Sequence, residues 1–288
     1  MFPLSKLTHA SGKHVIDTDS GLEVFEAPTS HALIQAAGYL KYILARSTNQ
    51  GVFFRGQAKL YNTLSPSLFR NIKDGSSLVR RRKLVSDLLT KIEDEKTAMR
   101  AVAPECREPL LQHYGIRTTW IDVVDNIWIA LWFACHQARS TGWPEEYLHF
   151  EKRIPNFRDS DEFAYILLLA SAYFNPIQGI QGYYRDKRSE TIDLRVAVPS
   201  QFVRPHAQHG ILVRRLSQTG QPVSNNIPLL VGIIRVHLSA ALDWLGTATT
   251  LTSHSLFPPA YYDYGYRELL NDIKPTVREL GSIYRIQA

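Results

Sequence analysis

Segment 126–139, NIWIALWFACHQAR, constrains the fold more than any other part of the chain. Its apolar residues do not gather on one stripe but point nearly all round a helix. A helix of that kind is buried on several sides, so the rest of the chain must supply elements to surround it. With 288 residues there is enough chain to do so without disulfides or a structural metal, because the buried fraction of surface rises with size. Hydrophobic residues at 44% and charged residues at 21% match globular averages, which excludes wholesale disorder and fibrous architectures.

The surrounding elements follow from periodicity. Thr29 or Ser30 caps a helix over 31–46, where Leu33, Ala36, Ala37, Leu40, Ile43 and Leu44 recur at helical spacing. A break at 47–51 leads into the β-rich run Val52-Phe53-Phe54-Arg55, which ends at Gly56. Residues 78–102 read as a long charged helix stopped by Pro104, and 108–114 as another ended at Gly115. Beyond these, apolar and β-branched runs at 163–170, 192–198, 211–216 and 229–236 predict strands, separated by turn-forming residues. Residues 266–280 return to helix, with Pro275 set to kink or split it, and the polar stretch 142–161 reads as an exposed excursion. The class is α+β, with helices mainly in the N-terminal half and strands mainly in the C-terminal half. Residues 1–50 read as an N-terminal helical extension to a domain over 51–288.

Cys106 and Cys135 fall in segments read as buried helix and make no disulfide framework, so a reducing, cytoplasmic compartment is expected. The first six residues show no secretory signal. The most apolar stretch, 163–174, is shorter than the roughly 20 residues a bilayer span needs, so no membrane insertion is expected. The 33 Lys and Arg exceed the 27 Asp and Glu to leave a net charge of +6, with clusters at Arg80-Arg81-Arg82-Lys83 and Arg214-Arg215. Such a surface attracts nucleic acid, nucleotides or an acidic protein, although a charge run on a helix is as readily a solvated face, and Glu93, Asp94 and Glu95 follow close behind.

Five short motifs occur in a fixed order. They are Phe54-Arg55-Gly56-Gln57, followed by Leu64 to Arg70; Leu111-Gln112-His113-Tyr114-Gly115, with Thr118 and Asp122; Asn126 with Ala130, Phe133, Ala134 and Cys135; Arg204 with Gln208 and Gly210; and Leu256-Phe257-Pro258. In order and spacing they resemble the FRG-domain family, named for its Phe-Arg-Gly motif, over roughly residues 52–270. Two departures stand out. Thr119 occupies the position of a family Arg, and Val123-Val124 that of a family Trp-Thr pair.

The Arg-Gly pair at a strand end is also similar to the first catalytic strand of the ADP-ribosyltransferase superfamily, which implies a split sheet and NAD as substrate. On that resemblance Gly56 lets the backbone approach nicotinamide, Arg55 forks a phosphate or ribose, and Gln57 offers an amide beside it. His113 or Tyr114 would orient or stack on the ligand, and Trp120 could also stack. Asn126 would present the positive end of the buried helix to the ligand's phosphates. Arg55, Tyr114, Asp122 and Gln208 are the candidate catalytic residues, expected to converge on one cleft; Arg80, Arg81, Arg82 and Lys83 are the candidate nucleic-acid contacts. Scaffold roles suit two of these residues equally: Arg55 paired with Asp122 or Asp125, and His113 simply placed at a helix C-terminus.

Many such transferases carry a Glu on a late strand to stabilise the oxocarbenium-like ribose. Here the late element holds Gln208 between His206 and His209. Either Gln208 takes that role, or Asp122 or Glu190 does, or the protein only binds. No phosphate loop, dinucleotide Gly-rich turn, zincin motif or serine elbow occurs. Two functions follow: an NAD-dependent ADP-ribosyltransferase acting on nucleic acid, RNA first, or on protein, as a toxin or anti-phage defence effector held by an antitoxin or regulatory partner; or a noncatalytic module that binds nucleic acid or protein.

Overall fold

The computed structural model describes residues 7, 10–72, 74–95, 97–142, 146–156, 162–246, 250–273 and 277–286. Two short strands, β1 (Lys13–Ile16) and β2 (Glu23–Glu26), lead into α1 (Ser30–Thr48), whose first turn is closed by Thr29 accepting from the Ala32 amide. Then come β3 (Gln50–Gln57), α2 (Gly75–Glu95), α3 (Thr97–Arg100), α4 (Pro104–His113), β4 (Ile121–Val124), α5 (Ile127–Cys135), β5 (His136–Thr141) and β6 (Tyr147–Lys152). The chain continues with β7 (Phe163–Ala172), β8 (Tyr183–Arg185), β9 (Ser189–Asp193), α6 (Leu194–Ala197), α7 (Val203–Ala207), β10 (Gly210–Arg215) and β11 (Leu230–His237). It closes with α8 (Leu238–Leu245), α9 (Ser253–Leu256), α10 (Tyr264–Asp272) and β12 (Arg285–Ile286). No described helix is long and apolar enough to cross a membrane.

A nine-stranded mixed sheet runs β1-β2-β11-β7-β3-β4-β10-β9-β8, antiparallel except where β2 meets β11. At its centre β7 is buried along its whole length, and its side chains alternate between faces as strand geometry requires. Ala164, Ile166, Leu168 and Ala170 face a core shared with α1, α5 and α8, while Phe163, Tyr165, Leu167 and Leu169 enter a second core on the other face. A third core gathers α2, α4, α6 and α10 around Trp120, Tyr114 and Leu212. The neighbours β3 and β4 are joined by one residue pair, Phe54 with Val124, beyond which the strands part.

Several expectations change. The α+β class holds, but helices and strands are interleaved: β1 to β4 lie in the first half and α6 to α10 in the second. The first fifty residues do not stand apart as a helical extension, since β2 pairs with β11 and α1 packs into the main core. The buried helix is shorter than its apolar run predicts. It ends at Cys135, and residues 136–141 leave as β5, which pairs with β6 inside the stretch read as an excursion; β12 completes a second, three-stranded sheet. Strand β5 is polar and exposed, and of its apolar residues β6 buries only Leu148 and Phe150 in part, so neither is marked by a long apolar run, and their pairing is a tertiary effect. Pro104 opens α4 instead of merely stopping a helix, because the first helical residue needs no amide hydrogen. At 192–198 the strand ends at Asp193, whose carboxylate caps α6 through the Arg195 amide. Helix α10 spans Tyr264–Asp272, and Pro275 lies outside the described residues.

Candidate active site

Where β3 and β4 part, a half-open cavity of about 310 Å3 is lined by residues from both strands, from α4, α5 and α7, and from the second sheet. One wall is aromatic. Phe150 stacks on Phe257 with centroids 4.2 Å apart, Phe133 meets Phe257 edge-on, and Tyr284 stands beside them. This wall exists because β5 and β6 fold back over α5; Phe133 and Phe257 belong to the sequence motifs, whereas Phe150 and Tyr284 do not.

The polar side is built from α4, β4 and α7. Arg55 spans the gap between the strands by donating from Nη1 to the Asp122 backbone oxygen at 2.7 Å, while its Nε has no hydrogen-bond partner. Burial pulls its guanidinium below its ordinary pKa, with the Asp122 carboxylate acting in the opposite sense. Asp122 is 45% exposed at its side chain, and one carboxylate oxygen accepts from the Gln112 amide. Gln112 in turn accepts from the Thr118 hydroxyl.

His113, only 4% exposed at its side chain, closes α4 with Nδ1 3.1 Å from the Gln208 amide oxygen and Nε2 3.7 Å from Asp122 Oδ1. Burial lowers its pKa, and the nearby Arg204 adds to this against the opposing pull of Asp122 and Gln208. The ring has room because Gly210 lies beneath it: a Cβ there would come 2.5 Å from His113 Cε1.

Arg204 is the most unusual residue of the site. Its side chain is among the largest fully buried ones, yet it has no carboxylate ion-pair partner among the described residues. Nη1 donates to the His113 carbonyl at 2.8 Å, and the guanidinium lies 4.5 Å from the ring centroids of both Tyr114 and Tyr266. Nε and Nη2 make no hydrogen bond. A buried cation with spare donors on a cavity wall suits an anionic ligand.

Of the residues singled out by sequence, Arg55, Gly56, His113, Asp122 and Gln208 line this cavity. Gln57, Tyr114 and Asn126 do not. Gln57 points into a separate polar pocket with Ser65 and Arg70. Tyr114 is wholly buried, stacked on Tyr266, with its hydroxyl donating to Asp263 Oδ2 at 2.7 Å, so it supports Arg204 from behind and meets no ligand. Asn126 caps α5 by accepting from the Trp128 amide at 2.9 Å, but the cavity lies along the side and C-terminal end of that helix, away from its positive end. Gly56 has a packing reason as well as a place in the lining, since α5 presses its backbone against it.

The cluster on α2 is not an open basic stripe. Arg80 pairs with Glu279 at 2.9 Å, Arg81 donates to the Leu68 and Arg70 carbonyls, and Arg82 donates to the Pro222 carbonyl and lies over Phe69. Lys83 remains exposed. Arg214 is likewise taken up internally, by Glu190 and by the face of Trp120, which leaves that ring unavailable for stacking on a ligand. Sequence reasoning places Arg204 and Gln112 in motifs without giving either a role of its own. Their significance lies in what they meet across the fold.

Comparison with known proteins supports the first three of the five motifs. Residues 50–142 match the family model described as the FRG domain, a span that carries β3, α4, β4 and α5 and hence most of the cavity lining. No curated protein and no solved structure matches the chain.

Proposed function

We propose that this FRG-domain protein is an NAD-dependent ADP-ribosyltransferase, with the cavity between β3 and β4 as its nucleotide site and nucleic acid, RNA first, or protein as its acceptor. One observation carries the reading: an aromatic wall, two arginines and a half-exposed carboxylate line one cavity. The wall offers faces to a planar ring. Arg204 and Arg55 bring positive charge and unpaired guanidinium N–H groups, buried in the cavity wall, that a diphosphate would satisfy. Asp122, steadied by Gln112, supplies negative charge where a ribose becomes cationic as its bond to nicotinamide breaks, the bonding electrons leaving with nicotinamide and an acceptor oxygen or nitrogen closing on the same carbon and losing its proton to water. Asp122 thereby fills the role left open by the missing late glutamate. An enzyme that consumes NAD and modifies nucleic acid suits a toxin or defence effector, and a partner that restrains it is then expected.

The test is incubation with labelled NAD and total RNA, DNA and protein. Wild type is expected to label one fraction, and Arg55→Ala and Asp122→Asn to lose label by about 100-fold or more while keeping the wild-type melting profile. Absence of label from every fraction, or equal labelling by Arg55→Ala, overturns the enzyme reading. NAD bound without transfer would leave the noncatalytic module.

A further inference from the structure

Two amide side chains in the cavity wall have fixed orientations. Gln208 Nε2 donates to the Leu256 carbonyl at 2.8 Å, so its oxygen must be the atom facing His113. A carbonyl oxygen only accepts, and His113 Nδ1 therefore carries the ring's hydrogen. Gln112 is fixed in the same way: its oxygen takes the Thr118 hydroxyl, and its nitrogen donates to Asp122 Oδ2. The Trp120 amide, 3.3 Å from the Thr118 oxygen, anchors that chain to the backbone.

The consequence is a pair of acceptors with no donor. Burial favours the neutral His113 ring, so Nε2 presents a lone pair; Asp122 on β4 and Arg204 on α7 are the charged groups that face it, and their effects oppose each other. Nε2 is buried without a hydrogen bond, and Asp122 Oδ1, the carboxylate oxygen that Gln112 does not hold, lies 3.7 Å away. That is too far for a hydrogen bond and too close for two lone pairs to face each other at no cost. A single amide nitrogen bridging both would need acceptors roughly 5 Å apart for straight N–H bonds. Two vicinal hydroxyls stand closer together than 3.7 Å and can donate side by side, one to each acceptor.

We propose that His113 Nε2 and Asp122 Oδ1 form a two-acceptor clamp for the vicinal hydroxyls of a ribose, and that this clamp makes the cavity select ribose over deoxyribose ligands. The identity of the sugar as the nicotinamide-side ribose rests on the NAD reading above; the acceptor pair rests on the two amide orientations and on the buried, neutral His113 ring. A site built around hydroxyl donors rejects a ligand that lacks them, because its acceptors are then left buried and unpaired.

Calorimetric titration would test this with four probes: NAD, ADP-ribose, and the counterpart of each without the two hydroxyls on the ribose concerned. Wild type is expected to bind the dideoxy forms roughly 100-fold more weakly. In Asp122→Asn the new amide can donate to His113 Nε2 and satisfy the pair internally, so the hydroxylated and dideoxy forms should bind alike. Equal binding of NAD and its dideoxy form by wild type, or undiminished discrimination in Asp122→Asn, overturns the clamp and leaves the NAD reading standing. Hydroxyl-dependent binding of ADP-ribose without binding of NAD would support the clamp and remove NAD as the ligand. No binding of any probe overturns both.

Discussion

Gly56 shows how a motif residue can answer to packing. An added Cβ would stand 1.8 Å from the Ala130 carbonyl oxygen and 2.7 Å from the Ala134 amide nitrogen, both rigid backbone atoms of α5. Gly56→Ala should therefore lower stability by about 1–3 kcal/mol, read as an earlier midpoint in urea unfolding, since the helix must move bodily to admit one methyl. An unshifted midpoint would mean that α5 has slack at this contact. At this scale the sequence reveals a residue's chemistry better than its surroundings. Arg55, His113, Asp122 and Gln208 are legible as polar residues in motifs that meet in the cavity. Tyr114 is misplaced by sequence because a tyrosine beside a helix end serves equally as a ligand platform or as a core ring. What decides it is Asp263, 149 residues away, which accepts its hydroxyl. Arg204 is undervalued for the same reason: its burial and its aromatic neighbours arise only on folding.

Among the elements, α5 is the best test of what periodicity can deliver. Its apolar composition foretells burial on several sides, and Asn126 is legible as its cap. The cap's supposed second duty to the ligand does not follow, because the cavity opens along the opposite end of the helix. Asn126→Ala is expected to cost about 1 kcal/mol in thermal or urea unfolding and to leave nucleotide affinity unchanged. A large loss of affinity in a variant that still folds would restore Asn126 to the site. Strands β7, β10 and β11 are legible because buried strands carry long apolar runs, whereas β5 is polar and exposed and β6 has only Leu148 and Phe150 as half-buried apolar residues, with partners set by tertiary contact. Boundaries move where a local capping choice intervenes, as at Asp193, which turns a predicted strand into the start of a helix.

For the molecule as a whole, buried ionisable groups predict an acid limit. Burial holds His113 and His136 below the ordinary histidine value of 6.5, so on acidification the unfolded chain takes up protons that the folded chain resists. Stability should begin to fall as the pH drops below 6.5. It should fall again as the carboxylates of Glu26 and Asp125 are protonated, because burial there is outweighed by bonds from Arg235 and Lys13 to the first and from His209 and Arg195 to the second, which hold both below the ordinary carboxylate range. Urea midpoints followed from about pH 7 to about pH 4 would show this decline, and a flat profile over the upper half would contradict buried neutral histidines. The single Phe54–Val124 pair has a mechanical meaning of its own. The main sheet is a book of two leaves joined by one backbone stitch and the Arg55 side chain, with the apolar side chains of Phe53 and Ile121 packed along one side of the spine and the cavity in the gutter on the other. A molecule lodged in that gutter acts as a wedge, and the angle between the leaves becomes the dimension in which it is felt across the fold.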